Sequence, residues 1–198
     1  MTAAYAAAKA FLYPLFSSVW RMKVYGRENV PMRGPLVVAC NHVSYADPPV
    51  LGTASPRQIS YMAKQELFAI PVLGPMIRSF GAYPVDRHGS ASAAIKRSVE
   101  VLRDGGAIGI FPEGTRNLDG SAEVRQGVAL LASLGRAPVV PACVIGTNRI
   151  KRLRQIKVVF GEPMHLPEGR KATREEMAKF TDEVMSAIRA LAQRFDGN

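Results

Sequence analysis

Short apolar runs rich in aliphatic and β-branched residues recur along the chain, separated by longer stretches in which apolar and polar positions follow a different period. Runs of this length that are apolar almost throughout are typical of strands covered on both faces. The predicted strands are Lys23–Tyr25, Leu36–Cys40, Ile59–Ala63, Ala82–Val85, Ala107–Phe111, Val139–Val144 and Ile156–Phe160. Strands that alternate with helical stretches indicate an α/β layer architecture.

Helical spacing of apolar residues is clearest between Ser90 and Arg103, where the pattern ends at Gly105 and Gly106. The last helical stretch begins with a predicted capping box, in which Thr173 is followed three residues later by Glu176. The remaining predicted helices cover about 48–54, 71–80, 126–134 and 173–195. The sequence contains no internal repeat and no linker long enough to separate domains.

The first 22 residues are mostly apolar, but the uninterrupted part, Ala10 to Trp20, is too short to cross a bilayer. A signal peptide requires several basic residues ahead of this part and small residues after it, yet Lys9 stands alone ahead of it and the segment ends Val19-Trp20-Arg21-Met22-Lys23. We therefore predict that residues 1–22 form a membrane-interface helix ahead of a main domain at 23–198, with Arg21 and Lys23 meeting headgroups. The side chains expected to insert are Phe11, Leu12, Leu15, Phe16, Val19 and Trp20. A helix packed on the domain's own core is the alternative.

Basic residues outnumber acidic ones, with 26 Lys and Arg against 16 Asp and Glu, for a formal charge of +10. Such a field attracts nucleic acid, an anionic membrane surface, or phosphorylated substrates and acidic carrier proteins. The densest basic group contains no aromatic residue on which a base could stack, so nucleic acid is not an expected partner. That group is Lys151, Arg152, Arg154 and Lys157.

The two cysteines, Cys40 and Cys143, both lie inside apolar runs. This position predicts reduced, buried thiols in a cytoplasmic protein. The spacing of cysteine and histidine residues does not match a zinc site, so no metal is expected.

Polar residues follow the predicted strand Leu36–Cys40, and among them are His42 and Asp47. Histidine can take up and return a proton near neutral pH, and a carboxylate across a tight turn can hold one ring nitrogen. The pair therefore predicts a general base that activates a hydroxyl of the substrate. Two structural alternatives remain: a hydrogen-bonded structural histidine, and Asp47 as the N-cap of a helix with Pro48 at its first position.

A second polar turn, 112–117, follows the strand that ends at Phe111. It exposes backbone N–H groups, and Arg116 supplies a planar guanidinium suited to phosphate. Arg87 follows the strand Ala82–Val85, and two arginines after neighbouring strands predict one anion site. The alternative is that Glu113 and Arg116 form a surface ion pair. Lys64 and Arg125 are further basic candidates, and 68–76 could line an acyl groove or belong to the ordinary core.

Four segments resemble, in order and separation, the motifs of the 1-acylglycerol-3-phosphate acyltransferase family of glycerolipid acyltransferases. They are Asn41-His42 with Asp47, Gly81-Ala82-Tyr83-Pro84-Val85-Asp86-Arg87, Phe111-Pro112-Glu113-Gly114-Thr115-Arg116, and Val140-Pro141. The resemblance implies a mixed, largely parallel β-sheet flanked by helices. Pro84 stands where similar enzymes have a strand residue, which predicts an edge or bent strand.

The resemblance further implies the reaction: a fatty acyl group passes from an acyl thioester, on coenzyme A or acyl carrier protein, to the hydroxyl of lysophosphatidic acid. His42 and Asp47 would be catalytic, and the phosphate would be bound by Arg87 and Arg116 in a site shaped by Glu113, Gly114 and Thr115. No cofactor beyond the thioester co-substrate is expected, and the enzyme would lie peripherally on the cytoplasmic face of the cell membrane. Other acceptors (glycerol 3-phosphate, another lysophospholipid or a glycolipid), a thioester hydrolase and a non-enzymatic lipid-binding module remain as alternatives.

Overall fold

Seven strands form one sheet in the computed structural model, which describes residues 1–85, 91–114, 117, 127–167 and 172–196. The strands are β1 (Lys23–Tyr25), β2 (Leu36–Cys40), β3 (Ser60–Lys64), β4 (Ala82–Val85), β5 (Ala107–Ile110), β6 (Val139–Ile145) and β7 (Lys157–Phe160). Their order is β1-β7-β6-β2-β5-β3-β4. All neighbours pair in parallel except β6 and β7, so β7 and β1 run opposite to the other five. The predicted mixed, largely parallel sheet is confirmed.

Helices cover both faces of this sheet. They are α1 (Ala3–Val19), α2 (Asp47–Ala54), α3 (Leu73–Ser79), α4 (Ala91–Arg103), α5 (Gly127–Gly135) and α6 (Arg174–Asp196), with 3₁₀ segments at Arg27–Asn29, Gln65–Ala69 and Thr147–Arg152. The predicted capping box of α6 is confirmed: Thr173 N donates to Glu176 Oε2 at 2.8 Å and Glu176 N donates to Thr173 Oγ1 at 3.2 Å. The 3₁₀ segments were not anticipated by the apolar pattern.

Two hydrophobic cores lie on the two sides of β2, all of whose residues are buried. Leu36, Val38 and Cys40 face a core shared with α1 and α2, whereas Val37 and Ala39 face one built by α4, α5 and α6. Burial on both faces explains why this strand is apolar throughout rather than alternating. The strand that leads to His42 is therefore packed by helices on both of its faces.

Helix α1 packs against the first of these cores. Tyr5 is fully buried, and its hydroxyl donates to Gly52 O at 2.8 Å. Phe16 belongs to the core, and the ring nitrogen of Trp20 donates to a backbone carbonyl at 2.8 Å. The expectation that Phe16 and Trp20 insert into a membrane is therefore wrong, because one face of the helix is already occupied by the domain.

Part of the predicted inserting set is exposed on α1. Phe11 is 70% exposed and Val19 is 40% exposed. Arg21 and Lys23, which follow the helix, are also exposed. None of the helices in the described ranges is long and apolar enough to cross a membrane.

Candidate active site

Strands β2 and β5 are parallel neighbours, and their register places Leu36 opposite Ala107 and Ala39 opposite Ile110. Their carboxyl ends therefore lie side by side, at the edge where open α/β sheets bind ligands. The residues that follow these strands meet there, because Glu113 and Asn117 form hydrogen bonds with the backbone of His42.

The first residue of the β2 turn, Asn41, extends the sheet with its side chain. Its Oδ1 accepts from Val144 N at 2.8 Å and its Nδ2 donates to Val144 O at 3.0 Å. The last backbone pair between β2 and β6 is Cys40 with Ala142. Beyond it, the Asn41 side-chain amide takes the place of a backbone amide and forms hydrogen bonds with β6. This fixes the point from which the turn departs, a role that sequence reasoning did not assign to Asn41.

His42 and Asp47 form the predicted pair, with Nδ1 and Oδ2 separated by 3.0 Å. The Asp47 side chain is fully buried, whereas that of His42 is 16% exposed. A carboxylate can only accept, so Nδ1 carries the proton in this pair. Nε2 is then the ring nitrogen left to receive a proton from a substrate.

Asp47 accepts three further hydrogen bonds. Its Oδ2 accepts from Val43 N and Ser44 N, both at 2.7 Å, and its Oδ1 accepts from Thr147 Oγ1 at 2.5 Å. These donors compensate the burial of a negative charge. The N-cap alternative is wrong: Ala46 occupies the N-cap position of α2 without a side-chain cap, because the carboxylate faces back into the turn.

Thr147 is a site residue that sequence reasoning missed. It is 1% exposed and stands 100 residues from Asp47 in the chain. The position of Thr147 in the sequence could have indicated its role. Gly146 and Thr147 directly follow β6, which is the second neighbour of β2 in the sheet. Polar residues at the carboxyl end of a neighbouring strand reach the same edge.

The turn after β5 forms hydrogen bonds with the backbone of His42. Glu113 Oε2 accepts from His42 N at 2.8 Å, and Glu113 Oε1 accepts from Asn117 Nδ2 at 3.1 Å. Asn117 N donates to His42 O at 2.7 Å. Gly114 closes the turn at φ 64°, with its N–H donating to Phe111 O at 2.9 Å. Glu113 thus holds the histidine segment in place.

Aromatic rings support the imidazole from one side. The ring of Phe111 stacks on that of His42 with centroids 4.3 Å apart, and Tyr61 stacks behind Phe111 at 6.2 Å. The Tyr61 ring lies over Gly109, where an added Cβ would come within 2.2 Å of Tyr61 Cε1. Glycine at position 109 therefore leaves room for the rings that orient His42.

The predicted anion residues are only partly described. Arg87, Thr115, Arg116 and Arg125 lie outside the described residues. The premise that Arg87 and Arg116 follow neighbouring strands is wrong, because β3 lies between β4 and β5. Lys64 ends this intervening strand and is exposed. The expectation that Pro84 marks an edge strand is confirmed, since β4 is at the edge of the described sheet.

The segment 68–76 is not ordinary core, so that alternative is wrong. Ile70, Val72 and Met76 are 44%, 82% and 38% exposed. The segment forms a 3₁₀ turn and a short helix beside α1, which leave little of it covered. Its role as an acyl groove stays a prediction.

Both thiols are buried, as predicted. Burial raises the pKa of Cys143 to about 12 and that of Cys40 well above its ordinary value. Neither thiol is thus a nucleophile near neutral pH. Within the described part of the chain, no group of His, Cys, Asp and Glu side chains is arranged to hold a metal ion.

Comparison with known proteins gives consistent matches. Residues 21–145 match the family model described as Acyltransferase. The 1-acyl-sn-glycerol-3-phosphate acyltransferase of Bacillus subtilis is 34% identical over 180 residues, which cover 88% of this chain and 90% of that protein. The enzyme of the same name from Streptococcus pneumoniae is 28% identical, over 78% of this chain and 60% of its own.

A solved structure extends the likeness to the fold. The crystal structure of the 1-acyl-sn-glycerophosphate (LPA) acyltransferase PlsC from Thermotoga maritima superposes with a TM-score of 0.69 at 25% identity. The alignment covers 94% of this chain and 82% of that one.

Proposed function

Because the chain belongs to the acyltransferase family, we propose that it transfers a fatty acyl group from an acyl thioester to the free hydroxyl of 1-acylglycerol 3-phosphate, giving phosphatidic acid. The observation that carries this proposal is the 3.0 Å contact between His42 Nδ1 and the buried Asp47, at the edge where β2 and β5 end. The names of the relatives support the choice of acceptor.

In the proposed reaction, His42 Nε2 takes the proton of the acceptor hydroxyl while the hydroxyl oxygen attacks the carbonyl carbon of the thioester. The new C–O ester bond forms, the C–S bond breaks, and the imidazolium returns the proton to the departing sulfur. Asp47 holds the ring and stabilises its cation. The acceptor supplies the nucleophile, so no acyl-enzyme is formed.

The charge that develops on the carbonyl oxygen needs N–H donors. The backbone amides of His42, Val43, Ser44 and Gly114 are already committed to other acceptors. We therefore exclude these four amides as the donors. These N–H groups donate hydrogen bonds that hold the two turns in shape.

The acceptor phosphate is proposed to bind beside β5. Arg87 and Arg116 are the proposed ligands, since a guanidinium can bind phosphate through two parallel hydrogen bonds. Glu113 and Gly114 shape the turn, and Thr115 belongs to the same motif. Glu113 acts by tethering His42 rather than by contacting phosphate, because its two oxygens already have donors.

We propose peripheral attachment to the cytoplasmic face of the cell membrane. Phe11 is exposed on α1, Val19 is exposed at its last residue, and Arg21 and Lys23 follow. Aliphatic and aromatic side chains beside basic ones suit an interface rich in anionic lipid. The formal charge of +10 has the matching sign.

The test is to incubate purified protein with a labelled acyl thioester and 1-acylglycerol 3-phosphate and to identify the products. We expect phosphatidic acid, and we expect His42→Ala to lower its formation by about 10²- to 10⁴-fold, the usual contribution of a general base. His42→Ala should remain folded, as judged by its melting temperature.

Other outcomes would change the assignment. Release of free fatty acid without any acceptor would identify a thioester hydrolase, and preference for another acceptor in a panel would replace the proposed substrate. Activity of His42→Ala within about threefold of the parent would refute the catalytic role of the histidine.

A further inference from the structure

The edge of the sheet that holds His42 carries a second polar surface, which the proposed chemistry does not use. Strand β7 is antiparallel to β6, with Lys157 opposite Ile145. The segment 146–157 therefore returns to the same edge as the carboxyl end of β6. It contains the densest basic group of the sequence, for which the reaction as described has no role.

A cavity of about 380 Å³ opens in this surface. We call this cavity the basic pocket. Its lining includes the cationic side chains Arg149, Arg154 and Lys157 and the neutral residues Asn41 and Val43. Asp196 is the one acidic residue among its described lining. The volume is in the range of small-ligand sites, and the charge balance favours an anion.

The arginines of the basic pocket are available to a ligand. Arg149 and Arg154 are exposed, and no carboxylate in the described ranges forms a salt bridge with them. Lys157, in contrast, is buried and donates to Phe195 O at 2.7 Å, which fixes it at the end of α6. Arg149 also lines an adjoining cavity with Tyr45, so the basic surface continues toward the catalytic turn.

The basic pocket is attached directly to the catalytic pair. Thr147, two residues before Arg149, donates to Asp47, and Val43 lines both cavities while following His42 in the chain. Gly146 adopts φ 91°, and a Cβ there would lie 2.3 Å from Gln155 O. This close approach, which only glycine permits, fixes the spacing between the strand ends that carry the two arginines.

We propose that the basic pocket binds the phosphate groups of the phosphopantetheine carrier of the acyl donor. This inference rests on the proposed function, which requires a thioester to reach His42. In the order β6-β2-β5, the strand that leads to the basic pocket and the strand that precedes the proposed acceptor motif lie on opposite sides of β2, which leads to His42. The two reactants would then approach the imidazole from opposite sides, each held by its own phosphate.

The form of the surface favours this ligand over a lipid bilayer. Arg149 and Arg154 line a concave site, which a phosphate on a flexible arm can enter and a flat headgroup layer cannot fill. Guanidinium groups match phosphate oxygens in geometry as well as in charge. Coenzyme A and acyl carrier protein share the phosphopantetheine phosphate, and coenzyme A bears additional phosphates on its nucleotide.

The experiment compares the Arg149→Gln, Arg154→Gln double variant with Arg33→Gln as a matched control. Arg33 is also exposed, but it precedes β2 and so lies at the opposite edge of the sheet. We expect the double variant to raise the KM for acyl-coenzyme A by at least about tenfold, the effect of losing one charged hydrogen bond. The kcat and the KM for 1-acylglycerol 3-phosphate should stay within about twofold, and Arg33→Gln should match the parent.

Acyl carrier protein as donor distinguishes the two sources of phosphate. An equal rise in KM supports recognition of the shared phosphopantetheine phosphate, and a rise limited to acyl-coenzyme A supports recognition of the nucleotide phosphates. Unchanged donor KM values overturn the proposal, as does a loss confined to flotation with anionic vesicles, which would assign the arginines to lipid.

Binding of free coenzyme A by calorimetry separates this inference from the proposed function. If the parent binds coenzyme A and the double variant does not, the pocket is supported even where no acyl transfer to 1-acylglycerol 3-phosphate is found. Suppose instead that the parent transfers acyl groups from acyl-coenzyme A, but the double variant binds free coenzyme A as tightly as the parent does. The proposed function then stands, and only the assignment of the basic pocket fails.

Discussion

Replacing Asp47 separates the two things that this carboxylate does, which are to orient His42 and to hold the turn. In Asp47→Asn the amide oxygen can occupy the position of Oδ2, where it still accepts from His42 Nδ1, Val43 N and Ser44 N. The amide nitrogen then faces Thr147 Oγ1, which can accept a hydrogen bond instead of donating one. The turn keeps its bonds, but the negative charge beside the imidazole is lost.

The expected magnitudes differ sharply between asparagine and alanine. Asp47→Asn should cost less than about 1.5 kcal/mol of unfolding free energy, because weaker hydrogen bonds are offset by the relief of a buried charge. Asp47→Ala leaves Val43 N, Ser44 N and the Thr147 hydroxyl without their acceptor, at about 1 kcal/mol or more each, so about 3 kcal/mol is expected. Both variants should lose at least about 10²-fold in activity, since neither stabilises the imidazolium.

Urea unfolding and the labelled-donor assay measure these two effects on the same preparations. If Asp47→Asn retains activity within about threefold of the parent, the charge of Asp47 is not needed and the proposed role is refuted. If Asp47→Asn is instead destabilised as much as Asp47→Ala, the hydrogen-bond exchange with Thr147 does not occur.

Three further predictions concern other parts of the molecule. Tyr5→Phe should lower stability by about 1 kcal/mol at pH 7, because Gly52 O loses its donor. Burial raises the pKa of Tyr5 from 10.0 to about 12, so the parent loses stability as pH rises through this window; the loss should be shallower in Tyr5→Phe, as measured by urea unfolding at pH 8 and 11. Phe11→Ser combined with Val19→Ser should weaken flotation with anionic vesicles without changing the melting temperature, whereas equal flotation would refute the interface role of α1. Arg116→Lys should impair transfer to 1-acylglycerol 3-phosphate more than to uncharged monoacylglycerol, since lysine lacks the guanidinium fork; an equal loss on both would indicate a structural role.

Much of the fold could be predicted from local patterns. β1, β2 and β4 were predicted with their observed bounds. An apolar run flanked by turn-forming residues marks a buried strand such as β2 well. The meeting of His42 with Glu113 was also predictable in outline, since both follow strands that end at one edge. The exact partner of Glu113, which is the backbone N–H of His42, was not.

The features that were missed depend on pairing between distant segments. The insertion of β3 between β4 and β5 has no local signal, and it separates the strands that precede Arg87 and Arg116. The contact of Thr147 with Asp47 likewise joins two parts of the chain that only the sheet order brings together. Phe16 was misassigned because an apolar helix face looks the same whether it covers a core or a membrane.

The hydrogen bonds of Asn41 also bear on how the enzyme ages. Asparagine deamidates when the backbone nitrogen of the following residue attacks the side-chain carbonyl carbon to form a succinimide. Here that nitrogen belongs to His42 and donates to Glu113, while both ends of the Asn41 amide are held by Val144. The folded protein therefore shields its catalytic turn from a chemical lesion to which the unfolded chain is open. Conditions that unfold the protein, rather than the passage of time alone, should convert Asn41 to aspartate and isoaspartate, and mass spectrometry of stored protein can follow that conversion.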